Sequence, residues 1–297
     1  MFKIYLDKNS PRIVINFFGI KLKLKNKLSM FLYQASSHKH ILEKYVDIKK
    51  VNIATGELRN AQLELKSFLE YFDELSKRNN LKYWLDSGTL LGAVRHNGFI
   101  PWDDDIDICM LRDDYEKMHT ILLNELKNNS NWYVREYFVN PTNWQIRIIS
   151  KKFKQNIGFD IFPVDKYFDS NFTEQEQNNI TNTIKKASEC LKKKYSHAKN
   201  IKIIDVKKDI AYIQRKKILY NKIPAQNKPA LFWGIDFPCD AKQLIIHYDM
   251  VFPLKEIGFE GKTYPCPNNI DGYLKNFYSN YMEFPSYIIN DSGLRCE

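Results

Sequence analysis

The sequence has few cysteines and no long apolar run, and each absence excludes a class of protein. The five cysteines are scattered along the chain: Cys109, Cys190, Cys239, Cys266 and Cys296. They form no CxxC pair and no Cys/His pair with the spacing of zinc ligands, so free thiols in a reducing compartment are expected. No stretch reaches the roughly eighteen apolar residues of a membrane-spanning helix, and no secretory leader is recognisable. We therefore expect a cytoplasmic protein, soluble or peripheral.

Acidic residues are too few to balance the basic ones. The chain has 45 lysines and arginines against 35 acidic residues, a formal net charge of +10 and a pI near 9.1. Such a charge favours anionic partners: nucleotides, nucleic acid or an anionic membrane surface. Residues 182–228, the basic segment, hold fourteen basic residues against three acidic ones. This segment is either a solvated helix face or a patch for anionic lipid head groups or a charged glycan.

The overall composition is that of a folded globular protein. The 297 residues are 44% hydrophobic and 14% aromatic, which excludes a disordered chain and allows one large domain or two. Residues 1–27 alternate apolar and basic residues around Gly19, which predicts a small hairpin. The same segment also fits a membrane-surface anchor, with Phe17 and Phe18 beside several lysines.

Hydrophobic periodicity predicts alternating helices and strands through the rest of the chain. Residues 57–79 carry an apolar stripe at helical spacing with charges opposite, which predicts an amphipathic core helix. Further strands are predicted at 81–85, 105–110, 144–150 and 157–164, and further helices at 89–96, 112–124 and 271–282. The basic middle of the chain, 172–222, is predicted to be mainly helical, and residues 251–266 to form short strands and turns.

Acidic residues spaced two apart are the strongest functional signal in the sequence. Asp103, Asp105 and Asp107 adjoin the apolar run of a predicted strand, where side chains alternate between two faces. The three carboxylates should share one face, and Asp104 should point to the other. Like charges on a partly buried strand repel each other and lose solvation. A divalent cation compensates that cost, and carboxylate oxygens are the ligands that Mg2+ prefers.

A turn suited to holding phosphate lies shortly before these acids. Ser87 and Gly88 end one predicted strand and begin a helix, whose N-terminus offers N–H donors and the positive end of a dipole. A later strand carries Asp160, either as a solvent-facing residue or as a further acid beside the first group. Together these parts are what metal-assisted attack on a phosphoanhydride requires, including an acid that deprotonates the attacking hydroxyl.

The stretch WLDSGTLLGAVRHNGFIPWDDDIDI, residues 84–108, resembles the signature of the LicD family of phosphocholine transferases. The fukutin-type phosphoribitol transferases are similar to that family. GFDIFPVD, residues 158–165, resembles the second acidic strand of the family, and the stretch from 251 to about 286 resembles its C-terminal part. The middle, 166–250, matches poorly. The chain departs from the family at Ser279 and Asn280, where Gly-Asp is usual, and at Arg147, near where a lysine is expected.

The resemblance implies an α/β (α+β) fold with a nucleotidyltransferase-like mixed sheet, flanked by helices and interrupted by a basic helical middle insertion. It divides the chain into an N-terminal basic accessory segment, 1–50, and a catalytic domain, 51–297. The helical segment at about 170–250 would face the acceptor.

The resemblance also assigns roles to individual residues. It implies four metal-binding acids: Asp103, Asp105, Asp107 and Asp160. Catalysis would depend on the last three of these, with Asp160 as the possible base. Contacts to the phosphates of the donor would come from the start and the end of the short helix: Ser87, Gly88, Thr89, Arg95 and His96.

The implied activity is Mg2+- or Mn2+-dependent transfer of phosphocholine, or a related phospho-group, from CDP-choline or a similar CDP-linked donor. The acceptor would be a hydroxyl of a cell-surface glycan (lipopolysaccharide, capsule or teichoic acid) or its lipid-linked precursor. We expect a cytoplasmic enzyme, with peripheral contact to the anionic inner face of a bacterial cytoplasmic membrane and no nucleic acid partner.

Three alternatives stay open at this point. The same acids would serve a nucleotidyltransferase that makes a CDP-activated compound from CTP, or a glycosyltransferase that uses a sugar nucleotide. A glycosyltransferase would place its metal motif after a nucleotide-binding parallel sheet, and only a helix and a basic segment precede Trp84. A non-catalytic basic module that binds membrane or nucleic acid would leave the acidic group unexplained.

Overall fold

The computed structural model describes residues 43–138, 144–154, 157–169, 229–233, 245–278 and 280–285. It also describes three N-terminal strands and scattered helical positions between 175 and 209. The predicted basic helical stretch, 172–222, lies almost wholly outside the described residues, as does Ser279. The chain divides into two compact units: Met1–Asn52 with Asn280–Ile289, and Ile53–Ser279 with Asn290–Glu297.

The smaller unit contains a three-stranded antiparallel sheet. Strands β1 (Phe2–Leu6), β2 (Ile13–Phe17) and β3 (Ile20–Leu24) lie in that order. The tight connection between β2 and β3 makes the hairpin that the alternating pattern predicts. The assignment of residues 1–50 to an accessory segment, and of 51–297 to a catalytic domain, stays a prediction.

The larger unit is a mixed sheet flanked by helices, which confirms the expected α/β class. The described strands are β4 (Tyr83–Leu85), β5 (Asp105–Leu111), β6 (Trp132–Phe138), β7 (Trp144–Ser150), β8 (Gly158–Asp169), β9 (Pro229–Trp233), β10 (Ile245–His247), β11 (Lys255–Phe259) and β12 (Lys262–Cys266). The described helices are α1 (Gly56–Arg78), α2 (Ser87–His96), α3 (Arg112–Glu125), α4 (Tyr248–Val251) and α5 (Ile270–Tyr278).

Strand β8 is the centre of the seven-stranded sheet. It pairs in parallel with β5 along one edge. Along its other edge it pairs antiparallel with β7 near its start and with β9 near its end. Strands β4, β6 and β10 extend the sheet outward from β5, β7 and β9. The parallel pair brings the N-terminal ends of β5 and β8 side by side, and that edge carries the acids of both strands.

Helix α1 covers one face of this sheet. Its apolar stripe puts Phe68 and Phe72 against Phe159 of β8, with ring centroids 5.2 and 5.0 Å apart. All three side chains are buried, and each buried aromatic of this kind stabilises the fold by about 1.5–3 kcal/mol. Because neighbours on a strand face opposite ways, the burial of Phe159 under α1 directs Asp160 to the other face.

Most of the elements predicted within the described residues are confirmed, and three strands are additional. The sequence pattern does not predict β6, β9 or β10. In strand β6 the aromatic Tyr133 is exposed next to the buried Trp132, so residue type does not reveal which face is buried. Strands β9 and β10 have five and three residues, too few for a reliable period. In the described part of the chain, no helix has both the length and the hydropathy that crossing a bilayer requires.

Candidate active site

The acids near the start of β5 come from the strand itself and from the loop before it. Asp105 and Asp107 lie on β5 itself and face the same side, as strand alternation predicts. The strand begins at Asp105, however, so Asp103 and Asp104 belong to the preceding loop. Asp103 therefore joins the group through loop geometry. Asp104 does not point away, since its carboxylate lies near those of Asp103 and Asp105.

Sheet register brings Asp160 to the same place. Asp107 of β5 is paired with Asp160 of β8 in the parallel ladder. Carboxylate oxygens of Asp105, Asp107 and Asp160 lie within 4.8 Å of one another, and so do those of Asp103, Asp104 and Asp105. Asp160 is only 4% exposed, which excludes the solvent-facing alternative for this residue.

Burial and the close packing of like charges raise the pKa of two of these acids. Burial, followed by the charges of Asp105 and Asp160, raises the pKa of Asp107 well above its ordinary value. Burial and the charge of Asp105 likewise raise the pKa of Asp103, which shares a hydrogen bond with Asp105. The protein therefore holds these carboxylates together against their mutual repulsion, as a cation-binding site must.

The first turn of α2 lies directly against these acids. A Cβ atom added at Gly88 would lie 2.7 Å from Oδ2 of Asp103 and 3.7 Å from Oδ2 of Asp107. Only glycine allows this approach. Ser87 before it has a φ of +44°, a left-handed conformation that costs about 1 kcal/mol or more for a residue with a side chain. The helix N-terminus, with its N–H donors, thus opens beside the acid group.

Thr89 ties α2 to β5. Its Oγ1 accepts a hydrogen bond of 2.8 Å from the backbone N–H of Asp107, and its side chain is buried. The contact fixes the strand residue against the helix. Within the predicted phosphate-binding turn, Thr89 therefore has a positioning contact, while Ser87 and Gly88 form the surface next to the acids.

A buried hydrogen-bond network, which the sequence pattern does not predict, supports the same turn. The fully buried Asp86 carboxylate accepts hydrogen bonds from the Tyr273 hydroxyl at 2.7 Å and from Sγ of Cys109 at 3.1 Å. Burial raises the pKa of Asp86, although these donors lower it in part. Tyr273 also accepts a hydrogen bond from the indole of Trp84 at 3.2 Å. The signal in the sequence is the position of Asp86 immediately before the Ser-Gly turn.

Helix α5 also brings a second tyrosine to the acids. The Tyr278 hydroxyl is hydrogen-bonded to Ser87. Although the residue as a whole is 39% exposed, burial of its hydroxyl and the charges of Asp107 and Asp86 raise the pKa of Tyr278. Tyr278 immediately precedes the two positions at which the chain departs from the family pattern. Periodicity alone predicts a helix here and gives no sign that it adjoins the site.

Helix α1 and the β11–β12 hairpin hold the loop that carries Asp103. The buried Gln62 donates from Nε2 to the backbone carbonyl of Asp103 at 2.9 Å. Glu260, at the tip of the hairpin, accepts two hydrogen bonds from Arg59, at 3.0 and 2.7 Å, and one from the N–H of Phe99 at 3.2 Å. Burial alone would raise the pKa of Glu260, but these hydrogen bonds hold it below its ordinary value.

The two predicted cations at the end of α2 differ in their surroundings. Arg95 is buried, and its positive charge interacts with the negative charge of Asp103. Burial lowers its pKa to about 10, so it stays charged beside the acid group. Burial and the charge of Arg95 lower the pKa of His96 to about 4. His96 is therefore neutral near pH 7, and it lies about 13 Å along the helix from Ser87. Its contact with a diphosphate stays a prediction.

Another cation adjoins the acids from β7. Arg147 is paired with Asp160 in the antiparallel ladder. Its guanidinium lies 3.5 Å from Oδ2 of Asp160 and 4.0 Å from Oδ2 of Asp105. In the sequence, this arginine stands out only as a departure from the family pattern.

The donor set fits a hard divalent cation. Carboxylate oxygens form two overlapping groups that share Asp105, one with Asp103 and Asp104 and one with Asp107 and Asp160, and such oxygens are the ligands of Mg2+ and Mn2+. An N–H-rich helix start adjoins them, Arg147 lies beside Asp160, and the charge of Arg95 interacts with that of Asp103. The arrangement can hold an anionic diphosphate and accept a proton from a hydroxyl.

Comparison with known proteins agrees with this site. Residues 80–208 match the model of the family described as LicD/FKTN/FKRP, nucleotidyltransferase domain. The lipopolysaccharide cholinephosphotransferase LicD of Haemophilus influenzae is 26% identical over 251 residues, which cover 77% of this chain and 92% of that protein. An uncharacterized protein of Rickettsia prowazekii is 39% identical over 116 residues, or 38% of this chain and 44% of that protein.

The human ribitol 5-phosphate transferase FKRP is 38% identical over 50 residues, which cover 17% of this chain and 10% of that protein. The matched family domain contains β4, α2, β5 and β8, so it includes all four acids and the Ser-Gly turn. Residues 80–208 therefore match a LicD-type nucleotidyltransferase domain, and most of the chain is similar to a lipopolysaccharide cholinephosphotransferase.

Proposed function

We propose that this protein transfers phosphocholine, or a closely related phosphate-linked group, from a CDP-linked donor to a hydroxyl of a cell-surface glycan. The match to the LicD-type domain and the 26% identity to a lipopolysaccharide cholinephosphotransferase support a transferase of substituted phosphate groups. One observation carries the proposal. Carboxylates from β5, its preceding loop and β8 form two overlapping groups that share Asp105, and those of Asp103 and Asp107 lie against the first turn of α2. No other arrangement among the described residues combines such acids with an anion-binding helix start.

The start of α2 binds the diphosphate in this proposal. The backbone N–H groups at Ser87 and Gly88 donate to phosphate oxygens, and the helix dipole favours their negative charge. Arg95 and Arg147 add positive charge on two sides of the acids. The same turn excludes side-chain bulk at position 88, so the phosphates lie close to the acids.

The acids bind a divalent cation and move one proton. Mg2+ or Mn2+ would be held by four acids: Asp103, Asp105, Asp107 and Asp160. When bound, the cation would neutralise negative charge on the phosphates. The acceptor hydroxyl oxygen forms a bond to the phosphorus that carries the head group. The anhydride bond to that phosphorus breaks, CMP leaves, and the hydroxyl proton passes to a carboxylate. Asp160, beside Asp107 in the ladder, is our assignment for that base.

The acceptor and the cellular site follow from charge and family. We assign the acceptor to a lipopolysaccharide, capsule or teichoic acid glycan, or to its lipid-linked precursor. The net charge of +10 favours peripheral contact with an anionic cytoplasmic membrane surface. The basic segment, 182–228, is our candidate for that contact, and it lies largely outside the described residues.

Product analysis tests the proposal. The purified chain is incubated with CDP-choline, CDP-ribitol or CDP-glycerol, Mg2+ and a glycan acceptor, and the nucleotide products are measured. We expect release of CMP from one of these donors, dependent on the acceptor and abolished by EDTA. Release of pyrophosphate from CTP would instead establish the nucleotidyltransferase alternative. Turnover of a CDP-linked donor that persists in EDTA would refute the assigned role of the acids.

A further inference from the structure

Arg147 spans two of the acids that the proposed function assigns to the cation. Its Nη1 lies 3.5 Å from Oδ2 of Asp160, and its Nη2 lies 4.0 Å from Oδ2 of Asp105. Both distances exceed the 2.7–2.9 Å or so of a charge-assisted hydrogen bond. The positive charge of the guanidinium is therefore shared between the two carboxylates. The Arg147 side chain is 22% exposed, so it also borders the open side of the site.

Gly158 provides the space that this side chain occupies. A Cβ atom at position 158 would lie 1.8 Å from Nε of Arg147 and 2.7 Å from its Cδ and Cζ. Gly158 is also the ladder partner of Asp105 on β5 and of Ile149 on β7. The arginine thus crosses the backbone of β8 at the one residue without a side chain, and this crossing directs its guanidinium to the acids.

We propose that Arg147 is the internal counter-ion of the acid site and a ligand of the donor phosphate. In the absence of a divalent cation, its charge offsets the repulsion between Asp105 and Asp160. A divalent cation competes with it for the same carboxylates. Once that cation is bound, the guanidinium donates to the anionic phosphate beside it, for which its planar donor fork is suited. This inference rests on the proposed function, because it assumes that the acids bind a cation and that the donor carries phosphate.

The test separates cation binding from donor binding. We would measure the Mg2+ dissociation constant by calorimetry, without donor, and the KM for the CDP-linked donor at saturating Mg2+. R147M should bind Mg2+ about tenfold more tightly, a change of about 1.4 kcal/mol, because a competing positive charge is removed. Its donor KM should rise at least tenfold. R147K keeps the charge but not the fork, so its Mg2+ affinity should stay near that of wild type while its KM rises.

Arg135 offers a matched control. It lies opposite Arg147 in the β6–β7 ladder and is exposed. R135M should change neither the Mg2+ affinity nor the donor KM, although it removes the same charge from the same sheet.

The outcomes are distinguishable. An unchanged or weaker Mg2+ affinity in R147M would overturn the counter-ion role, and an unchanged donor KM would overturn the phosphate contact. If R147M does not fold, G158A displaces the same side chain and should change both quantities in the same directions. Wild-type protein that binds no Mg2+, or releases no CMP from any CDP-linked donor, would instead refute the proposed function itself.

Discussion

Replacing Asp107 with asparagine should make the cation-free protein more stable and should remove most of the stabilisation that Mg2+ gives to wild type. Asparagine keeps the size of the side chain and removes its charge. Asp107 shares the acid group with Asp105 and Asp160, with carboxylate oxygens within 4.8 Å. Burial and these two charges raise its pKa. The wild-type fold therefore holds a charge that weakens it unless a cation is present.

The magnitude follows from the distances. Two unit charges that lie within 4.8 Å of each other repel by about 3.5 kcal/mol or more at an effective dielectric constant near 20. Partial protonation and the nearby Arg147 reduce the effect, so we expect D107N to raise the free energy of unfolding by about 1–3 kcal/mol without cation. The folded protein binds more protons than the unfolded chain above pH 4 or so, because the folded pKa is raised. The stability of wild type should therefore fall as pH rises toward that folded pKa. Asparagine does not titrate, so the stability of D107N should depend less on pH in this range.

Chemical denaturation with and without Mg2+ measures both effects. At a Mg2+ concentration about 100-fold above the dissociation constant, wild type should gain about 2.7 kcal/mol by mass action, and D107N should gain much less. D113N is the matched control, because Asp113 is an exposed acid in the first turn of α3. We expect D113N to respond to Mg2+ as wild type does and to lose less than about 1 kcal/mol, through the helix dipole.

One pattern of results would refute this reasoning. If D107N were no more stable than wild type without cation, and Mg2+ stabilised both proteins equally, the carboxylates would not form a strained cation site. The proposed assignment of Asp103, Asp105, Asp107 and Asp160 would then have to be abandoned.

Two further substitutions test how the site is positioned. G88A places a methyl group 2.7 Å from Oδ2 of Asp103, so we expect at least a tenfold loss of transfer and weaker Mg2+ binding with the fold retained by circular dichroism. Full activity in G88A would show that the turn and the acids have room to separate. Q62L removes the buried donor to the backbone carbonyl of Asp103, which should cost about 1–3 kcal/mol of stability and weaken Mg2+ binding measured by calorimetry. An unchanged Mg2+ affinity in Q62L would mean that the loop holds Asp103 without this contact.

Local pattern was sufficient for the secondary structure around the site. The apolar stripe of α1 and the run from Ile106 to Met110 each have the period of the element they form. These signals depend on residues close together in the chain, and burial of one face is their physical cause. The Ser-Gly turn was predictable for the same reason, since a strand ends and a helix begins within a few residues.

Long-range contacts were not predictable from such patterns. Gln62 holds the Asp103 loop from α1, and Glu260 holds it from a hairpin through a contact to Phe99, 161 residues away along the chain. Tyr273 reaches Asp86 over a similar separation. Nothing in the periodicity of these segments distinguishes a residue that packs in the core from one that supports the site.

The sequence alone determined which acids were candidates, which turn precedes them and which family the chain resembles, because each is a matter of residue type and short spacing. Only the tertiary structure decided how the acids meet. The parallel register of β5 and β8 pairs Asp107 with Asp160, a loop held by α1 brings in Asp103, and Gly158 lets Arg147 cross to the carboxylates. The reason is physical. Strand alternation assigns a side chain to a face, but register and side-chain packing between distant segments decide what lies opposite it.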